Sequence, residues 1–117
     1  HVNYLWGAVL VWLGRDYIWE TGYSSIVLVT CGTHTEEAPA IRAAYPQIFF
    51  LIPGYGAQCG KAADIAQYMN NNNGGVVNSS RGILLAYKKQ PGVAFDEAAY
   101  NECVRMKEDI QGECNKL

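Results

Sequence analysis

The sequence predicts an α/β fold in which parallel strands alternate with helices, as in part of a (β/α)8 barrel. Three observations predict it. Residues 26–30, 48–52 and 76–77 are continuous apolar runs of strand character, rich in β-branched or aromatic residues. Helix-forming stretches separate them, so successive strands connect by crossovers and lie parallel. Polar or glycine-rich segments follow the last two runs, at the strand ends where such barrels gather their ligand loops.

Taken in order, residues 2–19 have the length of a helix, but it is apolar over too wide an arc for a surface helix. It needs partners on more than one side. Either it is a well-buried helix of this domain, or, as Trp6, Trp12 and Trp19 on it suggest, it meets another copy or a neighbour outside these residues. The turn at Thr21-Gly22-Tyr23-Ser24-Ser25 precedes the first strand. A short helix follows over about 36–44, with Glu36 and Glu37 in its first turn and Tyr45-Pro46 ending it. After the second strand comes the loop Pro53-Gly54-Tyr55-Gly56-Ala57-Gln58-Cys59-Gly60, then a helix over about 62–69. Asn70 to Asn73 read as a low-complexity loop. Val76 and Val77 form a strand expected to be covered on both faces. A short helix to about Tyr87, a loop and a last helix over 95–114 complete the chain, Asp96 and Glu97 suiting the last helix's start. All 117 residues are expected to form one domain.

The composition excludes several classes. Half the residues are hydrophobic and 17% are charged, a globular balance. A net charge of −2 without a basic block argues against a nucleic-acid partner. His1 and His34 cannot build a metal site alone, and the four cysteines lack zinc-ligand spacing. Free thiols in a reducing cytoplasm are expected. The apolar run Leu5 to Leu13 is too short to cross a membrane. The chain opens on His1 as if mid-protein, with a helix already under way.

The central stretch is Val77-Asn78-Ser79-Ser80-Arg81-Gly82-Ile83. A strand runs into a polar turn and a helix start, whose N–H groups and partial positive charge favour an anion. Arg81 adds a forked cation that matches phosphate. An ordinary strand–turn–helix junction would look the same, so phosphate binding and plain structure both stay open on these residues alone. Ser24 and Ser25 read as turn residues on the opposite face, His34 as a solvated loop residue, and Arg105 to Asp109 as a solvated helix face.

Together, Gly22-Tyr23-Ser24-Ser25, the loop from Pro53 to Gly60 and the turn Asn78-Ser79-Ser80-Arg81-Gly82-Ile83 resemble orotidine 5′-phosphate decarboxylase of the second bacterial subfamily. The resemblance implies the last three β/α units of a TIM (β/α)8 barrel. The family is a cofactor-free, usually homodimeric enzyme converting orotidine monophosphate to uridine monophosphate in pyrimidine synthesis. It implies that Arg81 holds the nucleotide's phosphate, helped by Ser80 and Gly82. Gln58 would reach over phosphate and pyrimidine, while Pro53, Gly54 and Gly56 shape the loop. The family's catalytic Asp-x-Lys motif is missing from this sequence. Asp16, Asp64, Asp96 and Asp109 read as helical residues remote from strand ends, and Lys61 matches no catalytic position. The expected function is thus the phosphate-binding part of the decarboxylase without its catalytic lysine and aspartates. The alternative is a non-catalytic nucleotide-binding or degenerate barrel fragment that needs a partner chain or a missing N-terminal barrel half.

Overall fold

The computed structural model describes residues 5–31, 36–56 and 60–117. Helix α1 (Leu5–Gly14) leads to β1 (Val27–Val29), α2 (Ala38–Ala44), β2 (Phe49–Pro53), α3 (Ala62–Ala66), β3 (Gly75–Asn78), α4 (Ser80–Leu84), a 3-10 turn (Ala86–Lys89) and α5 (Phe95–Cys114). The three strands form one parallel sheet in the order β1-β2-β3. The α/β alternation and the parallel sheet are as expected.

The first helix is shorter than the sequence suggests. It stops at Gly14, not near Trp19, because Ser24 Oγ donates to the Gly14 carbonyl at 3.0 Å. Ser24 is buried in that contact. Residues 15–25 instead fold into a tight reversal, with Trp19 N–H donating to Tyr23 O at 2.9 Å and an isolated antiparallel bridge between Ile18 and Ser24. Trp19 therefore lies beyond the helix, and both it and Trp12 are exposed.

Proline sits in the first turn of α2, where its missing N–H costs nothing, and Tyr45 ends the helix before Pro46. The asparagine run is not a slack loop. Asn71 and Asn72 take positive φ values of 48° and 63°, and Asn70 and Asn73 exchange two backbone hydrogen bonds around them. Asparagine tolerates this left-handed backbone, so the run makes a two-residue turn that feeds β3.

The core lies on one face of the sheet. Phe50 and Ile52 of β2 are fully buried with Ile41 of α2, Ile65 of α3, Tyr68, and Met106 and Ile110 of α5. Leu28 and Val77 pack against this cluster from the flanking strands. The other face is uncovered: Val27 is 51% exposed, Val29 62% and Val76 49%. The expectation that Val76 and Val77 are both covered thus holds only for Val77. An apolar run shows that a strand has two apolar faces, not that both are covered within these residues.

Arg42 joins the elements at the N-terminal end of the sheet. Although buried, it faces no carboxylate among the described residues, and its hydrogen-bond partners there are backbone carbonyls. Nε donates to Tyr68 O at 2.7 Å, Nη1 to Ile48 O at 2.8 Å and Nη2 to Gly74 O at 2.8 Å. Its guanidinium stacks over Phe50 at 4.3 Å. Burial holds its pKa below the usual arginine value. Cys103 and Cys114 are free thiols. No helix among the described residues is long and apolar enough to cross a membrane.

Candidate functional site

The register brings the two ligand-type loops together. Pro53 at the end of β2 pairs with Asn78 at the end of β3, and Gly54 N–H donates to Asn78 O at 3.2 Å. The chain thus leaves both strands side by side. A cavity of about 220 Å³ opens there, lined by Pro53, Gly54, Tyr55, Asn78, Ser79, Ser80 and Arg81. Pro53, Ser80 and Arg81, singled out from the sequence, share this cavity.

The turn after β3 is organised by Ser79. This residue occupies the N-cap position of α4, yet its hydroxyl does not cap that helix. It is buried and donates to the Tyr55 carbonyl at 2.9 Å, tying the turn to the loop after β2. Ser80 Oγ donates to Asn78 Oδ1 at 3.3 Å. Gly82 is required by close approach, since a Cβ there would meet Ser79 Oγ at 2.4 Å. Gly82→Ala is accordingly expected to push Ser79 off Tyr55 and to cost about 1–3 kcal/mol. Urea denaturation checks this, and unchanged stability would contradict the packing described.

Helix α4 has only five residues, and the single short helix expected to reach Tyr87 is broken at Leu85 before the 3-10 turn. So short a helix has little dipole, and anion attraction at this turn falls to Arg81 itself. The loop after β2 turns on Gly54 and Gly56, with φ of 99° and 76°, values that favour glycine. Gly56 N–H donates to Gly60 O at 3.0 Å and Gly60 N–H to Gly54 O at 3.3 Å, closing the base of the loop. Gln58 and Cys59 lie outside the described residues, as does His34.

A second cavity of about 420 Å³ adjoins the first through Tyr55, Ser79 and Arg81. Gly56 and Gly82 line it, with Lys88, Lys89, Glu102 and Arg105 on its far side. Arg105 donates from Nε and Nη2 to the two Glu102 oxygens at 2.9 and 2.7 Å. That bidentate pair lowers the Glu102 pKa and raises that of Arg105.

Three residues of this region escape sequence reasoning. Tyr55 is buried, and its hydroxyl donates to the Asp109 carboxylate, with Arg105 over its ring at 5.9 Å. Residues 105–109 are therefore not simply a solvated face: Met106 is buried in the core, and Asp109 reaches the loop after β2. The spacing held a signal. Glu102, Arg105 and Asp109 fall at i, i+3 and i+7, one side of a helix.

The comparisons bear on this geometry. Orotidine 5′-phosphate decarboxylase of Clostridium tetani is 56% identical over 99 residues, which are 84% of this chain and 34% of that one. The same enzyme of Petrotoga mobilis is 47% identical over 115 residues, 97% of this chain and 40% of that one. The chain is related to part of orotidine 5′-phosphate decarboxylase. It spans a little over a third of the length of these curated relatives, consistent with a C-terminal fragment. No protein-family model matches. Among solved structures, UMP synthase of Leishmania donovani superposes with a TM-score of 0.61 at 23% identity, covering 94% of this chain and 23% of that one. That likeness concerns the fold: a three-stranded parallel sheet with helices, as in the barrels of orotidine 5′-phosphate decarboxylases.

Proposed function

We propose that this chain supplies the phosphate-binding part of an orotidine 5′-phosphate decarboxylase, acting on orotidine monophosphate in cytoplasmic pyrimidine nucleotide synthesis. The single observation that carries the proposal is the cavity where Arg81 meets Pro53, Ser80 and both strand-end loops, in a chain 56% identical to part of such an enzyme. Arg81 would bind the phosphate of a nucleotide monophosphate by a forked, charge-assisted contact. Ser80 and Gly82 would flank it, and Pro53, Gly56 and Gln58 would form the opposing loop. Phosphate binding far from the reacting carbon supplies energy that an enzyme of this kind uses at that carbon. The proton-donating lysine belongs to an Asp-x-Lys motif that these residues lack, so catalysis needs residues from elsewhere.

The uncovered sheet face favours a second element in the same proposal. Val27, Val29 and Val76 are apolar and about half or more exposed. They would line a barrel interior once further strands, from the rest of a longer protein or from a partner chain, closed around them. One 1–117 domain would then be a portion of a barrel, and a homodimer its expected assembly.

Calorimetric titration tests the phosphate assignment. Uridine monophosphate is expected to bind at least about 10-fold more tightly than uridine, which lacks the phosphate. Equal affinities would refute the assignment.

A further inference from the structure

We propose that Tyr55 is the positioning residue of the candidate phosphate site, locking the loop after β2 both to the turn after β3 and to helix α5. The proposal rests on the phosphate assignment above and names how that site is held. Tyr55 reaches each of these elements through a different contact. Its carbonyl accepts the Ser79 hydroxyl at 2.9 Å, two residues before Arg81. Its phenol donates to Asp109, 54 residues away on α5. Its backbone bridges Gly60 and so closes the glycine-rich loop. Arg105, itself gripped by Glu102, lies over its ring.

The chemistry suits a fixed strut. The Tyr55 side chain is largely buried and its hydroxyl is engaged with Asp109, so it supports the loop rather than offering that hydroxyl to the anion. Burial, with the Asp109 hydrogen bond, raises its pKa and keeps the proton on the phenol as a donor. Glycines at 54 and 56 make the loop conformationally free. Without an anchor, ligand binding would have to order that loop at an entropic cost. An aromatic side chain set between the two glycines, pinned at its hydroxyl, removes that cost before the ligand arrives.

The test compares uridine monophosphate affinity and thermal stability in the full chain and four variants. Tyr55→Phe and Asp109→Ala are each expected to weaken binding about 3- to 30-fold. Asp109→Asn keeps an acceptor for the phenol and should restore most of the affinity. Asp109 is exposed, so its variants fold, and their melting temperatures should stay close to that of the parent. A merely structural role would lower melting temperature and spare affinity. Arg81→Ala separates the two ideas. Affinity lost there but unchanged in Tyr55→Phe and Asp109→Ala overturns the positioning role alone. Affinity unchanged in all four variants, or no binding by the parent chain, overturns the phosphate assignment and the positioning role with it.

Discussion

Arg42→Ala destabilises the chain by an expected 3–5 kcal/mol, about the most that one substitution in a small domain removes. The guanidinium satisfies carbonyls from three places that adjoin different elements: Tyr68 after α3, Ile48 before β2 and Gly74 before β3. Alanine takes a charged donor from each of these acceptors, leaving Gly74 O with the Phe50 N–H at 3.0 Å. It also vacates the space beside Phe50. Lysine would recover only a fraction, because a single ammonium cannot span three carbonyls in a planar fork. Urea titration measures both variants, and a loss below about 1 kcal/mol for Arg42→Ala would mean the fork is dispensable. Arg42 lies at the strand ends opposite the cavity, so the folded fraction of each variant should keep its ligand affinity.

Arg81→Ala reverses that pattern. Ligand affinity should fall about 10- to 100-fold, because among the described residues the guanidinium is the one cation lining the cavity between the two loops. Stability should change little. Arg81 is exposed, so its removal leaves the core packing intact. Titration with uridine monophosphate reads the effect, and Arg81→Lys should recover part of it through charge alone. Affinity unchanged in Arg81→Ala would remove the basis for a phosphate at this turn.

The strands and α5 were legible because their signals are local. Three apolar runs, the Tyr45-Pro46 stop and the acidic start at Asp96 and Glu97 each act within a few residues. The neighbourhood of Arg81 with Pro53 and Ser80 followed from topology, since parallel strands bring their C-terminal loops to one edge. What sequence could not reveal depends on distant partners. Nothing near Gly14 in the sequence shows that Ser24 folds back on its carbonyl. Nothing adjacent to Arg42 in the sequence marks the distant carbonyls it serves. Tyr55 and Asp109 are separated by 54 residues, so their pairing exists only in the folded chain.

The strand order β1-β2-β3 follows the order of synthesis, and each strand pairs only with its neighbour in the chain. Among the described residues no strand pairing joins β1 to β3, and the long-range ties are made instead by Arg42 and by the core shared with α5. The central strand β2 is hydrogen-bonded on both sides and carries the buried Phe50 and Ile52. Among the described residues the flanking strands β1 and β3 each pair on one side alone, and they are expected to fray first. Local opening of β3 would release Asn78 and the turn that carries Arg81. Whatever pairs with that free edge would therefore raise ligand affinity from a distance, by suppressing a locally unfolded state.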